Sequence, residues 1–141
     1  MEFGAIYEIS GSGMEYQRLR LETIANNLAN ANTTRSASGG IYRPLEAVAT
    51  TSSPSFSAIM QANEELVGVE NMELVERNTQ PRMVFDPGHP DANADGFVAM
   101  PNINPVDEMI NLTAATRAYE ANVRVLNAAK TMSLKALEIG E

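Results

Sequence analysis

The chain has 141 residues, 44% hydrophobic and 20% charged, which suits one folded domain with a modest core and excludes a chain kept disordered by its own charge. Ten Lys and Arg against 18 Asp and Glu leave a net charge of −8, and the basic residues are scattered, which makes nucleic acid and anionic membrane surfaces poor partners. The absence of Cys rules out disulfides, thiolate metal sites and cysteine nucleophiles.

The N-terminal stretch carries Glu2 and Glu8 and has its first basic residue at Arg18. It has no apolar run of signal-peptide length, and no segment nears the roughly 20 apolar residues of a membrane span. The expectation is no direct membrane insertion and, for any route out of the cytosol, no cleaved signal. From Tyr7, the apolar positions Tyr7, Met14, Leu21 and Leu28 recur every seven residues, with Ile24 and Ala31 three positions further on, predicting one face of a long helix. Gly11 and Gly13 interrupt this pattern at about 1 kcal/mol each relative to Ala, so the turns before them are expected to order only when packed. Asn26, Asn27, Asn30 and Asn32 are poor helix formers. They either fray the helix end or fix register between neighbouring helices, as buried polar residues do in coiled coils. The Asn-, Thr-, Ser- and Gly-rich run to Gly40 ends the helix.

The middle of the chain predicts short strands. Tyr42 to Thr50 and Leu66 to Arg77 carry brief apolar runs on either side of a Ser- and Pro-containing segment around Pro54; Ser57 to Leu66 reads equally as helix. Arg82 to Phe85 and Phe97 to Met100 read as two further short strands, the first running into Asp86-Pro87-Gly88-His89, where Pro and Gly occupy the preferred positions of a type II turn.

The C-terminal element carries the clearest signals. Asn104 is a good N-cap, Pro105 suits the first helical position, and Asp107 complements the helix dipole; Gly140 marks the stop. Met109, Thr116, Val123, Lys130 and Leu137 recur every seven residues, with Leu112, Tyr119, Leu126 and Ser133 three later, a predicted seam over about 50 Å of helix. The small middle cannot cover so long an apolar stripe, and the N-terminal helix carries the only other one. The fold class predicted is therefore α+β, with the long terminal helices pairing as an antiparallel coiled coil and a small β-rich middle held at the end away from the termini. The domain reading is residues 1–33 and 104–141 as a helical assembly domain, 34–41 as linker, and 42–103 as a β-rich outer domain. Packing within one monomer also accounts for the stripes, but leaves the other faces of a slender two-helix rod uncovered.

Few residues invite chemistry. Asp91-Ala92-Asn93-Ala94-Asp95-Gly96 matches the first half of a calcium loop. The twelfth position is Asn102 rather than Glu, and Pro90 and Pro101 oppose flanking helices. Turn geometry is the better reading, with a small calcium-binding module as the alternative. The single histidine, His89, sits between Gly88 and Pro90, a turn position rather than a general base. The serines lie in linker-like stretches without a nucleophile elbow or phosphate loop. No enzyme activity and no cofactor are expected. Glu64, Glu65, Glu70, Glu73 and Glu76 read as a solvated face or, alternatively, a docking surface.

Two strings carry a resemblance. Ile24-Ala25-Asn26-Asn27-Leu28-Ala29-Asn30-Ala31-Asn32-Thr33-Thr34 resembles the N-terminal motif shared by flagellar axial proteins. The run from Phe85 through Asp95-Gly96-Phe97 to Asn104, with Glu108-Met109 and Ala118-Tyr119-Glu120-Ala121-Asn122, is similar to a family of bacterial flagellar basal-body rod proteins of the proximal rod. The resemblance implies a helical coiled-coil domain from the two termini, a small β-rich outer domain, and a family structural role for the calcium-like loop. It also implies export by the flagellar type III apparatus without cleavage and assembly in the periplasmic rod with copies of itself and other rod proteins. On this reading the free subunit has labile ends whose heptad faces become buried on assembly. The expected subunit-interface residues are Leu21, Ile24, Leu28, Leu112, Tyr119, Val123 and Leu126, with Asn26, Asn27, Asn30 and Asn122 setting register.

Overall fold

The computed structural model describes residues 3–36, 39–51 and 68–139. The expectations that rest on Pro54, on Ser57 to Leu66, on Glu64 and Glu65, and on Gly140 lie outside the described residues. Helix α1 (Phe3–Ala29) is followed by strands β1 (Leu45–Thr50), β2 (Asn71–Glu76), β3 (Arg82–Phe85) and β4 (Phe97–Met100) and by helix α2 (Pro105–Ile139). The architecture is α+β, with β1 pairing β2 and β3 pairing β4 as separate antiparallel ribbons.

Helix α2 starts as its sequence dictates. The Asn104 side chain accepts the Val106 amide at 3.1 Å and donates to Asp107 at 2.9 Å, with Pro105 at the first helical position and Asp107 and Glu108 in the first turn. Helix α1 runs unbroken through Gly11 and Gly13, and the turns around them are packed, with Ser10 buried and Ser12 accepting the Val69 amide. Gly13 has a use: a Cβ added to it would lie 3.0 Å from Nδ2 of Asn122 on α2, so the missing side chain is what brings the helices close. At its other end α1 is closed by Asn30, whose side chain donates to the Asn26 carbonyl at 2.9 Å and accepts from Thr33 at 3.2 Å.

The helices are antiparallel, since Gly13 meets Asn122 while Asn27 meets Glu108. Their seam, however, is not the expected one. On α2 the buried positions are Glu108, Ala115 and Ala129, with Asn122 half-buried at the same heptad spacing; on α1 they are Ser10, Thr23, Ile24 and Asn27, with Ala31 buried just past its end. Met109 (61% exposed), Thr116, Lys130 and Leu137 (69% exposed) face outward instead. Close antiparallel packing favours small side chains between the axes, so Ala, Gly, Ser and Asn occupy the seam and the bulky apolar residues are turned to its flanks.

The middle also sits differently from the expectation. Ribbon β1–β2 lies along α1 rather than only beyond its end, because Tyr16 reaches the Ala47 carbonyl at 3.2 Å and Ser12 accepts the Val69 amide at 3.1 Å. The core is correspondingly thin: Ala47, Val98, Pro101 and Ile103 join the helix seam. The loop between β3 and β4 turns at Asp86–His89, where the His89 amide reaches the Asp86 carbonyl at 3.2 Å. Gly88 does not take the positive φ that a type II turn needs. The glycine that does is Gly96, at φ 80°, where a Cβ would lie 2.9 Å from the Phe85 ring.

Candidate functional site

The densest polar cluster lies where α1 ends, α2 begins and β1 passes between them. Asn27 is fully buried, and its amide is fully used. Nδ2 donates to the Leu45 carbonyl at 2.8 Å and to Glu108 at 3.5 Å, while Oδ1 accepts the Leu45 amide at 2.9 Å and the Tyr42 hydroxyl at 3.0 Å. The two bonds to Leu45 imitate a neighbouring strand. In the ribbon register Pro44 pairs with Arg77 through the backbone, so the backbone groups of Leu45 and Ala47 point to the opposite edge of β1, where Asn27 and Tyr16 meet them. Helix side chains thus close an edge that would otherwise recruit another strand.

Glu108, 1% exposed, completes the cluster by accepting from Arg77 at 2.8 Å. Arg77 also stands 3.7 Å from Glu46. One buried carboxylate is therefore shared by α2, β2's end and α1, an arrangement that fixes how the ribbon docks rather than one that performs chemistry. Burial and the nearby Glu108 charge push the Tyr42 hydroxyl above its ordinary pKa.

Two of the calcium-like loop's three oxygen-bearing side chains already have partners within the chain. Asn93 Oδ1 accepts the amides of Asp95 at 3.0 Å and Phe97 at 2.9 Å, and the Asp91 carboxylate takes the Thr34 hydroxyl at 2.9 Å and an ion pair with Arg35. The Thr34 hydrogen bond, followed by the Arg35 charge, holds Asp91 below the usual carboxylate range. His89 Nδ1 accepts the Asp91 amide at 3.0 Å, consistent with a turn role. Among the described residues no group of three acidic or imidazole side chains stands close enough to hold a metal ion. No helix among them is long and apolar enough to cross a membrane.

The expected interface residues divide into three groups. Ile24 and Asn27 are buried by the chain's own elements, so the surface they were expected to offer a neighbour is taken up within the chain. Leu21, Leu28, Leu112, Val123 and Leu126 are half-buried along the flanks of the helix pair, Asn122 is half-buried in the seam opposite Gly13, and Asn30 is half-buried at the α1 cap. Tyr119 (37% exposed) and Asn26 face outward. The sequence reading missed a larger exposed set: Val106, Met109, Ile110, Met132, Leu134 and Leu137 on α2. Val106, Ile110, Met132 and Leu134 fall off the heptad columns and so escaped that reading.

Comparison with known proteins fits this shape. Residues 8–35 match the family model described as Flagella basal body rod protein, and residues 94–139 match Flagellar basal body rod FlgEFG protein C-terminal. These spans cover most of α1 and all of α2. The flagellar basal-body rod protein FlgC of Yersinia enterocolitica is 38% identical over 136 residues, covering 96% of each chain. That of Bacillus subtilis is 38% identical over 144 residues, covering 94% of this chain and 95% of the relative. That of Salmonella typhimurium is 37% identical over 136 residues, again covering 96% of each.

Proposed function

Since this chain belongs to the FlgC family of flagellar basal-body rod proteins, we propose that it is a proximal-rod subunit that assembles through the outer faces of α1 and α2 and carries torque through them. The observation that carries this reading is the apolar surface left over after the helices have paired. Each large apolar side chain contributes about 1.5–3 kcal/mol when fully buried, and Val106, Met109, Ile110, Met132, Leu134 and Leu137 all stand more than half exposed. Contacts of this kind, repeated on a lattice, add up without any one of them being strong. The half-buried flank residues Leu21, Leu28, Leu112, Val123 and Leu126, with Tyr119, continue the same surface. Asn26, Asn30 and Asn122 set register at its polar positions, while Ile24 and Asn27 support it from within.

The neighbours on this reading are copies of the chain and other rod proteins. The flagellar type III apparatus delivers the chain across the inner membrane without a cleaved signal, and the rod it joins lies in the periplasm. The test is electron microscopy of basal bodies from a strain of the source organism lacking this gene, with the intact gene and a Val123→Asp form restored in turn. Rods are expected to be missing in the deletion, recovered with the intact gene and absent with Val123→Asp, which places an unpaired charge in a flank contact. Ordinary rods in the deletion strain would overturn the proposal.

A further inference from the structure

We infer that an aromatic ridge on ribbon β3–β4 of one subunit docks onto the outer face of the first four turns of α2 in a second copy of this chain, an inference that rests on the rod-subunit reading above. Strand register places Met83 opposite Ala99 and Phe85 opposite Phe97 on one face of the ribbon. The two rings meet edge-on, with centroids 5.3 Å apart. The other face, with Val84 and the fully buried Val98, already supplies the core. Phe85 is nevertheless 65% exposed and Met83 53%, so among the described residues the ridge has no occupant. Aromatic anchors of this sort dominate interfaces when a partner covers them.

The complementary surface lies on α2, turned away from α1. Val106, Met109, Ile110, Thr113, Ala114 and Arg117 line a shallow, open and mostly apolar hollow along one face of the helix. Beyond it the same stripe becomes charged, beginning with Glu120 and Arg124, which pair at 3.7 Å, so the hollow has a definite end. Charge supplies the choice of occupant. Among the described residues Arg117 has no ion pair, and the ridge is flanked by exposed Asp86 and Asp95, which have none either. A guanidinium set against Phe85 between two carboxylates is favourable. Ridge and hollow are different surfaces of one chain, so their union is head-to-tail and propagates; two hollows facing each other would close a dimer and juxtapose the Arg117 cations.

The absence of Cys makes a cross-linking test clean. Phe85→Cys and Ile110→Cys forms carrying different tags are co-produced in a strain lacking the gene, and isolated basal bodies are oxidised. A dimer bearing both tags is expected, and it is lost when Arg124→Cys replaces Ile110→Cys. Incorporation of both forms without that dimer, or a dimer joining Ile110→Cys to itself, overturns the contact while leaving the rod reading intact. Absence of the tagged intact chain from basal bodies overturns the rod reading itself. Should the cysteine forms fail to incorporate, Arg117→Asp is expected to lose incorporation and the double form with Asp86→Arg to regain it; no recovery overturns the inference.

Discussion

At one end of the helix pair Asn27, Glu108, Arg77 and Tyr42 interlock through bonds of 2.8 to 3.5 Å; at the other, α2 ends in Met132, Leu134 and Leu137, all more than half exposed. The contrast separates two tasks within one coiled coil. The polar end has a geometry that only one arrangement of α1, α2 and β1 satisfies, because each buried donor and acceptor has a named partner. The apolar end specifies nothing within the chain and gains from any partner that removes its surface from water. The cluster thus fixes the fold within the chain, and on the proposed reading the far end and outer face serve association.

The largest way to break that contrast is Arg77→Met. Glu108 would be left buried with one long bond to Asn27, and removing one member of a buried pair costs about 3–5 kcal/mol. Urea unfolding should show the loss, and amide exchange should locate it in β1, the end of α1 and the start of α2, with the last turns of α2 little changed. Uniform loss of protection along both helices would mean that the two ends are not separable. Asn27→Leu comes next. It strands the amide and carbonyl of Leu45 at about 1–3 kcal/mol for each group left unsatisfied, and it also reopens the outer edge of β1. A concentration-dependent rise in β-type association on size exclusion is the expected companion of the stability loss.

Sequence patterning made the element types legible where one residue does one job. Asn104, Pro105 and Asp107 announced the start of α2, and short apolar runs beside a Pro-Gly turn announced β3 and β4, because caps, turns and brief apolar runs are local. Helix pairing was legible as a need, from two stripes too long for the middle to cover. The face used was not. A heptad reading ranks columns by hydrophobicity, and so selected Met109, Val123 and Leu137 over the column Glu108, Ala115, Asn122 and Ala129 that lies at the seam. Small and polar residues pack helices closely only when a specific partner is present, and no property of the single sequence names that partner. The same reason hid the cluster: Asn27 stood out as odd, whereas its link to Leu45, Arg77 and Glu108 spans up to 81 residues of chain.

A third prediction sharpens the contrast at two glycines that look alike in sequence. Gly11 has open space at its Cβ position, whereas Gly13 faces Asn122 at 3.0 Å. Gly11→Ala should stabilise the chain by about 0.5–1 kcal/mol through helix propensity alone. Gly13→Ala receives the same propensity gain but must displace the Asn122 amide, so thermal unfolding is expected to place it below Gly11→Ala. Equal melting temperatures for the two would mean that the helices do not approach as closely at Gly13 as the packing indicates.

The smallest expected effect is a pH dependence confined to the clustered end. Asp91 is held below its ordinary pKa by the Thr34 hydroxyl and then by Arg35, residues that follow α1 directly. A lowered folded-state pKa means that the unfolded chain takes up the proton first, so the contribution is present above about pH 4 and is lost as the pH falls through the folded value. Tyr42 behaves oppositely. Its raised pKa, caused by burial and then by Glu108, gives a contribution that is complete below about pH 10 and lost as the pH rises through the higher folded value. Amide exchange across the acid range should therefore loosen residues 30–36 and the loop before β4 while the last turns of α2 keep their protection. Asp91→Asn should abolish that local acid response and leave the alkaline one. If the acid response survives in Asp91→Asn, the tie between the end of α1 and the β3–β4 loop is held by something other than this carboxylate.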